Sequence, residues 1–233
     1  MIGEEEFSKN LSIVKEQIEV ACDKHGREVN EVTLLPVTKN WPVDAVKFCE
    51  INGINRVGEN RVQEALQKMQ NTLGIGYDLI GHLQSNKTRL AVGKFSCIQS
   101  VDSFKILDKI AKVANELDVK QPILLQVNAG KDPAKFGISI EETQGVLEKA
   151  LNLSSLRVDG FMTIAPYDPE NKLVARDCFA NLRQLRDAMS KIFSQPFQEL
   201  SMGMSGDLDD AIAEGSTMIR VGSALFGRRE MNP

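Results

Sequence analysis

The feature that most constrains this chain is a regular alternation of short apolar runs with longer amphipathic ones, repeated eight times. Runs of strand type occupy 32–37, 54–57, 77–80, 97–100, 123–128, 158–164, 198–202 and 218–221. Helical spacing marks 43–52, 61–72, 87–93, 103–117, 140–151, 172–192 and 207–214 between them, and a short turn starts at Ser223. Such alternation predicts right-handed crossovers and a parallel sheet. Eight units in 233 residues match a closed α/β barrel, a single (β/α)8 domain that typically takes about 250 residues. An open doubly wound sheet uses the same units, but even spacing with nothing left over favours closure. An extra N-terminal helix precedes the first strand. Phe7, Leu11, Val14, Ile18 and Ala21 recur at spacings of three and four, and His25-Gly26 ends the pattern. No Pro-, Gly- or Ser-rich linker divides residues 1–233, so one domain is expected.

Composition narrows the function. With 42% hydrophobic and 26% charged residues, the chain can bury one continuous core. A net charge of -4 and a pI near 5.4 argue against a nucleic-acid partner, which needs a basic face. Lys and Arg are scattered, and no apolar run approaches the roughly 20 residues that span a bilayer, so no membrane partner is expected. The start, Met1-Ile2-Gly3-Glu4-Glu5-Glu6, is acidic where a secretory signal is basic, and a cytoplasmic location is expected. Cys22, Cys49, Cys97 and Cys178 form no C-x-x-C pair and read as small buried hydrophobes. With only His25 and His82 available, a histidine-rich zinc site is nearly excluded. Asp207, Asp209 and Asp210 lack the glycine and glutamate of a calcium loop and read as the acidic first turn of a helix.

Active sites of this fold lie where the strands end, and phosphate often binds after strands seven and eight. Lys39 ends the apolar run Leu34-Leu35-Pro36-Val37-Thr38-Lys39. A lysine there can form a Schiff base with an aldehyde, and a neighbouring cation would make its amine a better nucleophile. Arg220 interrupts Met218-Ile219-Arg220-Val221. Turned inward, it needs a carboxylate, phosphate or ring nitrogen. Gly222 and Ser223, with the loop Ser201-Met202-Gly203-Met204-Ser205-Gly206-Asp207, are candidates for a phosphate cradle. Together these residues point to a pyridoxal phosphate (PLP) site. Asn60, in Gly58-Glu59-Asn60, can cap the following helix and touch the cofactor. His82, in Gly81-His82-Leu83-Gln84-Ser85-Asn86-Lys87, is the histidine near the mouth, either a contact or a structural hydrogen bonder. The loop 131–137 is either a lid or a plain turn.

These stretches resemble the pyridoxal phosphate homeostasis proteins, also known as proline synthetase co-transcribed homologues. The matching blocks are Pro36-Val37-Thr38-Lys39, Gly58-Glu59-Asn60, Ile80 to Lys87, Ser201 to Ser205, and Arg220 to Gly227, in order along almost the whole chain. The resemblance implies a barrel similar to the N-terminal domain of alanine racemase, with PLP held as an aldimine on Lys39. Arg220 would face the ring nitrogen, Asn60 would line the ring, and Ser201, Gly222 and Ser223 would hold phosphate. Family members are regarded as carriers or regulators of PLP supply that influence vitamin B6 and amino-acid balance, without established turnover. PLP-dependent apo-enzymes are the partners such a role implies, and a monomer is expected. The family commonly has an aromatic and a histidine before the Ile-Gly of strand three; here Tyr77 and Asp78 stand there.

An arginine opposite the ring nitrogen disfavours its protonation and weakens the electron sink that transamination needs. Carriage or a modest proton shuttle fits better. The main alternative is an amino-acid racemase, which needs a second acid/base tyrosine. The chain offers only Tyr77 and Tyr167, the latter in Ala165-Pro166-Tyr167-Asp168-Pro169, and the reading expects no appended β-domain. A phosphate-sugar barrel enzyme with Lys39 as an ordinary base is the remaining reading.

Overall fold

The computed structural model describes residues 2–168, 171 and 173–227. Its strands are β1 (Thr33–Pro36), β2 (Arg56–Glu59), β3 (Gly76–Leu79), β4 (Cys97–Val101), β5 (Gln121–Gln126), β6 (Leu156–Met162), β7 (Glu199–Ser201) and β8 (Met218–Val221). All pair in parallel, in the order β1-β8-β7-β6-β5-β4-β3-β2. A parallel bridge between Val37 and Gly58, with the Thr38 N–H donating to the Gly58 carbonyl at 3.0 Å, joins β1 to β2. The ring therefore closes as a (β/α)8 barrel.

Helices α1 (Glu4–Lys24), α2 (Val43–Ile51), α3 (Val62–Met69), α4 (Thr88–Ala91), α5 (Phe104–Glu116), α6 (Ile140–Leu151), α7 (Leu173–Phe193), α8 (Leu208–Ala213) and α9 (Ser223–Phe226) cover the outside. The helix expected at 87–93 is shorter, a 3-10 turn at Ser85–Lys87 running into α4, and Gly93 follows with a φ of +75°. Lys172, where the sequence starts its long helix, and Pro169 lie outside the described residues. The extra helix α1 ends at His25 as expected. Its Phe7 ring stacks on Phe226 at 5.2 Å and meets Phe48 at 6.0 Å, which fixes α1 against α9 and α2.

Side-chain alternation along the strands sorts the core into two layers. Outward residues such as Val57, Leu79, Ile98, Phe161, Leu200 and Ile219 bury against the helices. Inward residues form small apolar clusters, Leu35, Val37, Ile80 and Met218 on one side and Cys97, Leu124 and Met162 on the other. Among these inward residues lie buried polar ones, including Asp78, Gln99, Ser201 and Arg220. Among the described residues, no helix is long and apolar enough to cross a membrane.

Candidate functional site

Leu35 and Val37 point into the barrel, and the two-residue period carries Lys39 to the same side at the strand's C-terminal tip. Lys39 is half-buried and lines a cavity of about 1390 Å³ at the barrel mouth. Thr38 takes the opposite direction and meets α3. Its hydroxyl donates to Glu59 Oε1 at 2.6 Å. Lys68 Nζ, buried on α3, spends its three protons on the Thr38 carbonyl (2.7 Å), Glu59 Oε1 (2.6 Å) and Glu64 Oε1 (2.8 Å). Glu64 Oε1 in turn accepts from the Asn40 N–H at 2.5 Å. Residues on both sides of Lys39 are thus tied to one charge-paired clamp behind the barrel wall. Burial pushes the Glu59 carboxyl up, and the bonds from Lys68 and Thr38 oppose that rise.

Arg220 stands on the neighbouring strand, in register with Leu35. Adjacent strands are about 4.8 Å apart, so the tips of β1 and β8 share one side of the mouth. The guanidinium is buried inside the barrel. One terminal nitrogen donates to Ser201 Oγ and the other to the Thr163 carbonyl, both at 2.8 Å. Both acceptors are neutral, and among the described residues no carboxylate lies within 4.0 Å of it. Burial pushes its pKa down to about 10, and the more distant Asp207 carboxylate opposes that fall. It remains a cation at neutral pH, and it borders the cavity. An uncompensated buried cation is costly, and an acceptor or anion arriving in the cavity relieves that cost.

Met204, Ser205, Gly222, Ser223 and Asn60 also line the cavity. The β7 loop is held by Asp207, which accepts from the Met204 N–H at 2.5 Å while burial raises its carboxyl pKa. Gly203 adopts a φ of +94°, and a Cβ there would meet the Ala211 Cβ at 2.5 Å. Ser223 begins α9, where the first N–H groups have no partner within the helix. Gly81 lets the β3 loop approach Asn60; a Cβ there would lie 2.3 Å from the Asn60 carbonyl oxygen. The cap expected from Asn60 is not formed, because α3 starts one residue later, with Arg61 as its N-cap and no side-chain cap bond.

Two expected contacts lie elsewhere. Ser201 does not line the cavity; it is fully buried below Arg220, donating to Gln99 Oε1 at 2.7 Å. His82 is also outside the lining, with Nδ1 2.7 Å from Asp102 Oδ2 and its ring stacked on Phe136 at 4.2 Å. Phe136 belongs to the 131–137 loop, which is braced at its base by bonds between Asn128 and Asp132. Tyr167 borders the cavity and is 87% exposed. Tyr77 is buried on the outer side of β3, bonded to Thr72 at 2.8 Å. Sequence reasoning missed Lys68, because a helix lysine is ordinarily solvated. It also missed Gln99, whose only signal is a polar residue within an apolar strand. The arrangement suits a ligand that presents an aldehyde to an amine, an acceptor to a buried guanidinium and an anion to the turns of the β7 and β8 loops.

The family model described as alanine racemase, N-terminal domain, matches residues 10–230. A protein of Aquifex aeolicus named pyridoxal phosphate homeostasis protein is 38% identical over 224 residues, covering 95% of this chain and 98% of that one. The structure of PipY from Synechococcus elongatus with PLP bound superposes with a TM-score of 0.79 at 34% identity, covering 90% of this chain and 99% of PipY. An alanine racemase of Clostridium difficile shares the fold at a TM-score of 0.78 and 16% identity; the match covers 98% of this chain and 58% of the racemase.

Proposed function

The chain belongs to the pyridoxal phosphate homeostasis protein family, and from that premise we propose that it binds PLP at the barrel mouth and serves PLP supply in the cell. The observation that carries the reading is the buried Arg220 cation, without a carboxylate partner among the described residues, opening on the same cavity as Lys39. When bound, PLP supplies a reactive aldehyde, a pyridine ring and a phosphate. Lys39 Nζ would hold the aldehyde carbon. Arg220 would donate to the ring nitrogen and disfavour its protonation, Asn60 would line the ring, and Ser205, Gly222 and Ser223 would hold the phosphate. Met204 covers one edge. Ser201 acts from below through Arg220, and His82 steadies Phe136 rather than touching the ring.

The proposed role is carriage and regulated release, with delivery to PLP-dependent apo-enzymes and without turnover of its own. Arg220 argues against transamination, since an unprotonated ring is a weak electron sink, and leaves carriage or a modest proton shuttle. Tyr167, at the cavity border, is the observation that keeps a racemase as the second reading. The test is the absorption spectrum of the protein with PLP, followed by borohydride reduction and peptide mapping. A near-visible band and a pyridoxyl group on Lys39 support the reading; reduction onto another lysine overturns the site. Turnover of an L-amino acid that depends on both Lys39 and Tyr167 would replace the carrier with the racemase.

A further inference from the structure

A continuous line of polar contacts crosses the barrel interior beneath the cavity. At the start of β2, Arg56 Nε donates to Asp78 Oδ1 at 3.2 Å, and its NH2 group donates to Oδ2. Asp78, fully buried on β3, accepts from Gln99 Nε2 at 2.7 Å. Gln99 Oε1 on β4 accepts from the Ser201 hydroxyl at 2.7 Å, and Ser201 Oγ on β7 accepts from Arg220 at 2.8 Å. Asp78, Gln99 and Ser201 have no exposed surface, and Arg220 has 4%. Only Arg56, at the start of the line, reaches solvent, with its side chain 34% exposed.

The direction of each bond follows from the first. Burial raises the Asp78 carboxyl pKa, and Arg56, donating to both oxygens, opposes that rise and favours the ionised form; as a carboxylate Asp78 can only accept, so Gln99 must turn its NH2 group toward it. Its carbonyl oxygen then faces Ser201, whose single proton must go to it. The Ser201 lone pairs are left toward β8, where the guanidinium donates. The charge on Asp78 is thus converted, two residues along, into an oriented acceptor beneath Arg220. A neutral acceptor there anchors the guanidinium without a charge that would satisfy it and withdraw it from the cavity.

We propose that Asp78 and Gln99 are positioning residues for Arg220, fixing through Ser201 the guanidinium face that the cavity ligand meets. The proposal rests on the PLP reading for its ligand, but the orientation of Arg220 can be followed without PLP. In cofactor-free protein with 15N-labelled arginine, the wild type should give slowly exchanging Arg220 guanidinium protons. Gln99→Leu and Asp78→Asn should lose that signal, and both should weaken PLP binding roughly tenfold, the equivalent of one charge-assisted hydrogen bond, with a changed band ratio in the absorption spectrum. The double variant Arg56→Leu/Asp78→Leu removes the buried ion pair without leaving a lone charge, so it should fold. If it keeps wild-type stability yet loses the Arg220 signal, positioning is separated from mere structural support. Unchanged Arg220 exchange and an unchanged PLP spectrum in a folded Gln99→Leu protein would overturn the proposal. Failure of the wild type to bind PLP would instead overturn the functional reading, and the Arg220 exchange data would still decide the polar line on their own.

Discussion

The two neighbouring strand tips, β1 and β8, are built on opposite electrostatic plans. Under the β1 tip, Lys68 is wrapped by Glu59, Glu64 and the Thr38 carbonyl, and its charge is compensated inside the protein. Under the β8 tip, Arg220 rests on a hydroxyl and a carbonyl, and its charge is left open to the cavity. The first arrangement holds backbone in place; the second keeps a cation in readiness for a ligand. On the proposed reading, buried charge serves stability at one tip and binding at the other, and substitutions should separate the two.

The largest difference is expected on the β1 side. Lys68→Met strands two carboxylates against buried surroundings, and breaking such a pair from one end costs about 3–5 kcal/mol. Urea unfolding of the cofactor-free protein should show that loss. Arg220→Met removes a cation that burial disfavours but leaves the Thr163 carbonyl and Ser201 hydroxyl without their donor, so its cost in the same measurement should be about 1–3 kcal/mol and below that of Lys68→Met, while PLP binding falls at least tenfold. Equal destabilisation by the two would break the contrast.

Each side also rests on a close backbone approach. Gly81→Ala drives a Cβ against the Asn60 backbone, and Gly203→Ala places one against Ala211 and Ile219 in a left-handed conformation. Overpacking of this kind costs about 1–3 kcal/mol. Thermal unfolding should show the loss for both, with Gly203→Ala the worse because strain adds to the clash.

The smallest effect is a pair of opposite pH slopes. Burial raises the Glu59 pKa above its unfolded value near 4.3. Its contribution is therefore full below that value and declines as pH rises through the folded pKa. For Glu214, burial alone would raise the pKa, but hydrogen bonds from Arg183 and Arg176 prevail and hold it low. Its contribution is present above pH 4.3 and is lost as pH falls through the folded pKa. Measured against Glu59→Gln, the parent should lose relative stability from about pH 4 upward; against Glu214→Gln, it should lose relative stability below about pH 4. Slopes of the same sign would contradict the assignment.

Much of this was legible in the sequence, for identifiable reasons. Alternating periods of two and 3.6 residues gave the barrel, and its closure placed Lys39, Asn60, Met204, Ser205, Arg220, Gly222 and Ser223 around one cavity. All lie at strand ends, where the fold itself restricts position. What escaped depends on pairing across the barrel. The inward turn of Asp78 and Gln99 follows from strand register, and their contact joins β3 to β4, which local patterning does not encode. Ser201 has the composition of a phosphate loop but sits one layer down, because β7 reaches to Ser201 and the loop opens beyond it. His82 was ambiguous for a similar reason: its partners Asp102 and Phe136 come from the loops after β4 and β5.

On the proposed reading, Arg220 and Lys39 face one ligand from adjacent strand tips, with the cation held for a ring nitrogen. The most direct measurement is the 15N chemical shift of PLP labelled at its ring nitrogen, bound to the wild type and to Arg220→Glu. An unprotonated pyridine nitrogen is expected in the wild type and a protonated one in the variant. A pyridinium signal in the wild type, or the same shift in both proteins, would contradict the reading.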